Sequence, residues 1–213
     1  MNTPLPQTAY RLPIIVSIVL LFCFVNVNAQ RLEIHGIKDL SNNEIANKPW
    51  GVGAAVDLDQ FVKRTIFRVH FDWTMYKKKD GVTNPHYQRM SGGISALYSL
   101  KVIDKLTLRC GIEVNYSHIR YSHICAEDSI SKKSITWLQN ANFIGIGPHV
   151  ALNYELSRRF NIVFNFVPVY LITVSTKSYF TQSYLPIPES DYKKGVWLFP
   201  LQLGLSYKIF NPN

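Results

Sequence analysis

The stretch KLTLRCGIEVNYSHI, residues 105–119, decides the fold. Leu106, Leu108, Cys110, Ile112, Val114 and Tyr116 occupy alternate positions. Lys105, Thr107, Arg109, Gly111, Glu113, Asn115 and Ser117 fill the positions between them. A β-strand sends successive side chains to opposite faces, so this stretch has one apolar and one polar face.

The same period of two recurs along the chain. Trp197, Phe199, Leu201, Leu203, Leu205, Tyr207 and Ile209 alternate with Pro200, Gln202, Gly204, Ser206 and Lys208. Phe160, Ile162, Phe164, Phe166, Pro168, Tyr170 and Ile172 share a face, opposite Asn161 and Asn165, although Val163, Val167 and Val169 make that second face less polar. Thr65, Phe67, Val69, Phe71, Trp73 and Met75 oppose Arg64, Arg68, His70, Asp72 and Thr74. Ile144, Ile146, Pro148, Val150, Leu152 and Tyr154 oppose Gly145, Gly147, His149, Ala151, Asn153 and Glu155. Weaker strands run through 31–37, 50–58 and 87–100, and no stretch after Gln30 has a convincing helical period. The expected architecture is all-β, with about eight antiparallel strands in up-and-down order.

The connections carry independent information. A loop of about ten residues follows the first strand, and a short turn lies near 59–62. A loop over 77–86 contains Asp80-Gly81, and a short turn follows near 102–104. A long polar loop over about 120–140 precedes a tight turn near Ser157-Arg158, and the last loop, about 175–194, is long again. Long and short connections therefore alternate, as in bacterial outer-membrane barrels with long outer loops and short periplasmic turns.

Alternation alone fits two barrels, a soluble lipocalin-like one with an apolar interior and a membrane barrel with the reverse. Side-chain size separates them. The polar face carries Gly51, Gly53, Ala55, Ser91, Gly93, Ser95, Gly111, Gly145, Gly147, Gly204 and Ser206. Small residues suit the crowded interior of an eight-stranded barrel and suit a solvated exterior poorly. The apolar face is bulky, and Trp50, Trp73, Tyr98, Tyr116, Tyr154, Tyr170 and Tyr207 mark strand ends where interfacial girdles are expected. Composition agrees: 47% of the 213 residues are hydrophobic, 13% aromatic and 17% charged, against about 25% charged in soluble domains.

Residues 1–29 read as a secretory signal peptide, leaving a barrel over 30–213. Arg11 supplies the positive region, Leu12 to Val25 the apolar run, and Val27-Asn28-Ala29 a small-residue cleavage site. The run is shorter than the roughly 20 residues of a membrane span. Cys23 leaves with the leader; Cys110 falls on the lipid face and Cys125 in a loop, with no disulfide indicated and no spacing that suggests zinc. The net charge of +9 drops to +8 without Arg11. The basic residues are spread out and no nucleic-acid motif appears, so nucleic acid is not expected and a phosphate-rich membrane surface is the favoured anionic partner. A solvated basic surface without a particular partner stays open.

The polar face also carries Arg31, Glu33, Asp57, Arg68, Asp72, Arg89, Arg109, Glu113, Glu155 and Lys208, with His35, His70 and His149. Buried charges pair or change protonation state. The expected arrangement is a lumen network of Arg68, Asp72, Arg109, Glu113, Glu155, Arg89, Asp57 and Glu33 that fills the barrel. A gated ion path or proton-sensitive plug is the functional alternative. Lys77, Lys78 and Lys79, Lys132 and Lys133, and Lys193 and Lys194 fall in expected outer loops, where they suit lipopolysaccharide phosphates or simply solubility. His118, Ser122 and His123 read as a polar strand end rather than a nucleophile and its base. No catalytic residues, metal ligands or cofactor are expected, and no GxSxG, HExxH, P-loop or EF-hand motif occurs.

With these residues in hand, the chain resembles the small outer-membrane β-barrel domain proteins of Bacteroidota, the porin-like or PorT-like group. The resemblance spans about residues 30–210. It is carried by Asn28-Ala29-Gln30, Gly51-Val52-Gly53, Gly92-Gly93-Ile94-Ser95, Gly145-Ile146-Gly147-Pro148 and Leu203-Gly204-Leu205-Ser206-Tyr207. Such barrels commonly end in an aromatic that the assembly machinery reads. Here Phe210 is followed by Asn211-Pro212-Asn213, and Ile209 is in phase with the lipid face. The group implies no shared catalytic residues. It implies a non-enzymatic protein of a Gram-negative outer membrane, with a structural, surface-interaction or secretion-accessory role. Membrane lipid, lipopolysaccharide and the barrel assembly machinery are the expected partners, beside a surface or secretion partner whose identity the sequence leaves open. A narrow channel is the alternative, and an interfacial lipid A-modifying enzyme a third reading.

Overall fold

The computed structural model describes residues 31–41, 48–62, 64–77, 86–127, 134–180 and 195–209. The strands are β1 (Arg31–Asp39), β2 (Trp50–Val62), β3 (Thr65–Lys77), β4 (His86–Ile103), β5 (Leu106–Glu127), β6 (Ser134–Glu155), β7 (Phe160–Phe166), β8 (Val169–Phe180), β9 (Gly195–Leu198) and β10 (Pro200–Lys208). Each pairs antiparallel with its neighbours, β10 returns to β1, and the β5–β6 ladder closes the circuit.

Four of the ten segments are halves of two interrupted strands. Pro168 and Pro200 have no N–H to give to a ladder. Yet Phe166 faces Leu201 and Val169 faces Leu198 in one unbroken register. The Val167 N–H donates to the Pro200 carbonyl at 3.2 Å across the gap. With β7 and β8 as one strand and β9 and β10 as another, the molecule is a closed eight-stranded antiparallel β-barrel.

Several strands outrun their expected limits. β5 reaches Glu127 and β6 begins at Ser134, where a loop over 120–140 was expected; Cys125 therefore lies in a strand. β8 continues to Phe180 through the beginning of the expected last loop. β2 runs through the expected turn at 59–62 with a register shift, and Arg64 at φ 65° turns the chain. The cause is physical: a ladder needs paired backbone groups, not apolar side chains. Beyond the apolar belt both faces meet polar surroundings, so alternation fades while pairing continues.

Burial settles the direction of the faces. Glu33, His35, Asp57, Arg68, His70, Asp72, Arg109, Glu113 and His149 are buried, whereas Ile34, Val52, Ile94, Ile112, Val114, Ile146 and Leu203 are exposed. The polar face points into the lumen and the apolar face outward, which removes the lipocalin-like reading. Aromatics cluster on the outward face towards either end. Phe160 and Tyr207 rings lie 5.2 Å apart near the short turns, and Tyr170 and Trp197 lie 5.3 Å apart near the longer connections.

Candidate functional site in the lumen

The lumen side chains meet because the register puts their rungs level. Asp57 faces Arg68, and Arg68 faces Ser95, which faces Glu113. Arg68 lies across this space with only 1% of its surface exposed. Its Nη1 and Nη2 donate to Glu33 Oε2 and Oε1, both at 2.7 Å, and Nη1 also donates to Asp57 Oδ1 at 3.1 Å. The planar guanidinium fork matches a carboxylate in this bidentate way. Arg109 Nη1 holds the other Asp57 oxygen at 2.7 Å, and Asn165 Nδ2 donates to Glu33 Oε1 at 3.1 Å. β1, β2, β3, β5 and β7 are thereby tied together by side chains through the barrel interior.

A second layer faces Asp72 and Glu113. His35 Nε2 lies 2.8 Å from Asp72 Oδ1, and Gln202 Nε2 donates to Asp72 Oδ2 at 3.0 Å. His35 Nδ1 is 3.1 Å from Glu33 Oε1 without an aligned hydrogen bond, so this approach is a close polar contact only. Glu113 gathers His149 Nδ1 at 3.2 Å, Ser95 Oγ at 3.2 Å and Asn115 Nδ2 at 3.0 Å, with His70 Nε2 at 3.5 Å. His149 Nε2 then reaches Asn165 Oδ1 at 3.3 Å, which joins this layer to the first.

Glycine makes room for this layer. A Cβ on Gly53 would run into Asp72 Oδ1 and His35 Nε2, and one on Gly93 would come within 2.5 Å of His70 Cε1. Gly53→Val is expected to destabilise the barrel by about 1–3 kcal/mol through overpacking. Gly36 faces outward, and its nearest heavy atom would be 3.9 Å away, so Gly36→Val is the matched control. Urea titration of the folded, heat-modifiable gel band reads both; equal midpoints would refute the steric role of Gly53.

Towards the longer connections the lumen turns apolar. Tyr87, Ile119, Ala141, Phe143, Val169, Leu171 and Leu198 form a buried cluster. Beside it, Asp39 seals the interruption at Phe199: Oδ1 accepts from the Phe199 N–H at 3.2 Å and the Ser41 N–H at 2.9 Å, and Arg89 Nη1 lies 3.6 Å from Oδ2.

The structure brings Arg68, Asp57, Glu33 and Arg109 together, places Asp72 and Glu113 in the adjoining layer, and sets Arg89 apart with Asp39. Glu155 departs from expectation. It is exposed at the end of β6, because that strand leaves the lumen there for the turn to β7. Lys77 ends β3, with its side chain outside the described residues, and Lys78, Lys79, Lys132, Lys133, Lys193 and Lys194 lie outside them altogether, as does the leader. His118 and Ser122 both point outward but sit four residues apart, roughly 13 Å along a strand; the His123 side chain is outside the described residues. Sequence reasoning missed Asp39, Asn115, Asn165 and Gln202 as partners; their inward parity was the available signal. Among the described residues, no group of three or more His, Cys, Asp or Glu side chains is arranged to hold a metal ion.

At the short-turn end, Lys101 Nζ lies 2.9 Å from Asp104 Oδ1, and this hydrogen bond and charge hold the Asp104 carboxyl below its usual range. The pair is exposed, so water and salt screen it. Asp104→Asn is expected to leave the urea midpoint unchanged; a measurable drop would contradict this.

No family model matches the chain, and no curated protein matches it in sequence. Solved structures do match its fold. A major outer membrane protein from Thermus thermophilus aligns with a TM-score of 0.56 at 14% identity, over 85% of this chain and 100% of that one. Neisserial surface protein A aligns at 0.53 and 14% identity, over 84% and 95%. Ail, the attachment invasion locus protein of Yersinia pestis, aligns at 0.50 and 10% identity, over 85% and 99%. At such identities the likeness is one of fold, and that fold is the small eight-stranded outer-membrane β-barrel.

Proposed function

We propose that this chain is a non-enzymatic integral protein of a Gram-negative outer membrane, of the small-barrel kind found in Bacteroidota, freed of its leader near Ala29. Its barrel serves a structural, surface-interaction or secretion-accessory role and does not conduct. The observation that carries this reading is the side-chain connection through the lumen, from Asn165 and Glu33 through Arg68 and Asp57 to Arg109. An eight-stranded barrel has an interior only just wide enough for side chains, and here the ion-paired layers are backed by the apolar cluster around Phe143 and Leu171. The short turns then face the periplasm and the longer connections face outward, where the lysine pairs meet lipopolysaccharide.

Planar-bilayer recording of the refolded barrel tests this. Silence between pH 5 and 8 at either polarity is the expected result. Reproducible unitary currents would replace the closed barrel with the narrow channel.

A further inference from the structure

The outward face of β5, β6 and β8 changes character over three successive rungs. Tyr116, Ile144 and Ile172 form an exposed apolar rung. The next outward positions are His118, Asn142 and Ser175, with exposed Val174 bulged beside them on β8, and the next Arg120, Asn140 and Lys177. His118 Nδ1 lies 2.8 Å from Asn142 Oδ1, and Asn142 Nδ2 donates to Ser175 Oγ at 2.8 Å. With Asn142 so oriented, its carbonyl is spent on His118 and its amide on Ser175, which leaves the Ser175 hydroxyl hydrogen to donate elsewhere.

The rung beyond is cationic. Arg120 and Lys177 are exposed, sit one strand to either side of Asn140, and form no ion pair with a described residue. Two strand spacings put their Cα atoms about 10 Å apart, a gap two long cationic side chains close around a small anion. Among the outward positions from Leu106 to Ser122 on β5, Leu138 to Tyr154 on β6 and Tyr170 to Lys177 on β8, none is acidic.

Height matters as much as charge. His118 lies twelve residues beyond Leu106, roughly 30 Å along the barrel axis for a strand tilted by about 40°. The polar rung therefore sits where an apolar belt of about 25 Å has just ended and lipid headgroups begin. Donors and cations immediately above acyl-chain height complement an anion that is held to the membrane by its own chains.

We infer that His118, Asn142, Ser175, Arg120 and Lys177 form an outward-facing binding site for the phosphorylated headgroup of an outer-leaflet glycolipid. The inference rests on the outer-membrane reading above. Lys177 and Arg120 clamp the phosphate as a point charge and a fork, and Ser175 donates from below.

Native mass spectrometry of the full mature barrel tests the site, with bisphosphorylated lipid A, the same lipid A after phosphatase treatment, and phosphatidylglycerol as probes. Wild-type barrel should retain bisphosphorylated lipid A in preference to both other lipids. The double variant Arg120→Ala, Lys177→Ala should lose on the order of 30-fold in apparent affinity, about fivefold per surface cation. Arg64→Ala with Arg159→Ala removes the same charge at the opposite end and should change nothing. Equal loss in both double variants would mean diffuse attraction and overturn the site. Equal retention of dephosphorylated lipid A or of phosphatidylglycerol would overturn the ligand. Heat-modifiable migration of each sample is scored separately, because its absence in the wild type would sink the barrel reading itself.

Discussion

Arg68→Met is expected to cost the barrel about 3–5 kcal/mol, the cost of removing one partner from a buried ion pair. The substitution keeps much of the side-chain volume and deletes both bonds to Glu33 and the bond to Asp57. Asp57 keeps Arg109 at 2.7 Å, but Glu33 is left buried with Asn165 and the unaligned His35 contact. An uncompensated buried carboxylate, rather than lost attraction, is the source of the cost. That account has a consequence the simpler one lacks. Combining Arg68→Met with Glu33→Gln removes the orphaned charge and should recover part of the loss, although two bonds are still missing. Arg68→Lys should fall between wild type and Arg68→Met, since an ammonium keeps the charge but not the fork. Urea titration in lipid vesicles, read by the heat-modifiable band, measures all three. A double variant no more stable than Arg68→Met would show that lost attraction, not the orphaned charge, sets the cost.

How much of this was legible beforehand depends on which side of the wall a residue faces. Ile112 and Glu113 are neighbours with opposite environments, and period-two alternation separates them without knowledge of any partner. The closed eight-stranded plan was legible for the same reason, even where Pro168 and Pro200 interrupt the ladder, because outward parity continues from Phe166 to Tyr170. The apolar cluster was hidden by the same rule. Phe143, Leu171 and Leu198 occupy lumen positions, so expecting a polar lumen left no place for them. Only the valines at 163, 167 and 169 hinted that the inward face loses polarity. Glu155 shows a converse limit: parity gives direction but not height, and a side chain of lumen phase beyond the last rung is simply exposed. The extensions of β5, β6 and β8 were illegible because polar and apolar residues no longer sort onto separate faces there, and such mixed stretches read as loop. Partner choice, such as Asn165 meeting both Glu33 and Gln202, depends on the shear that closes the barrel.

Ile112→Arg is expected to destabilise the barrel by about 2–4 kcal/mol in a bilayer, the cost of arginine on the lipid face near the midplane. Ile112 is six residues above Leu106 and six below His118, and it is 62% exposed. Leu203 is 62% exposed midway along the opposite wall, and Leu203→Arg should cost a similar amount. The two positions lie on separate strands, β5 and β10, so the double variant should lose close to the sum. If water bathed these faces, the same substitutions would stay within about 0.5 kcal/mol, as exposed replacements usually do. Position supplies the internal control. Leu106→Arg places the charge at the lower edge of the belt, where the cost falls to about 0–1 kcal/mol. A depth profile that peaks at Ile112 and Leu203 and fades at Leu106 therefore measures the lipid itself. A flat profile would return the apolar exterior to water, and with it the phosphate site at the loop end, since that site has meaning only at the height where a belt stops.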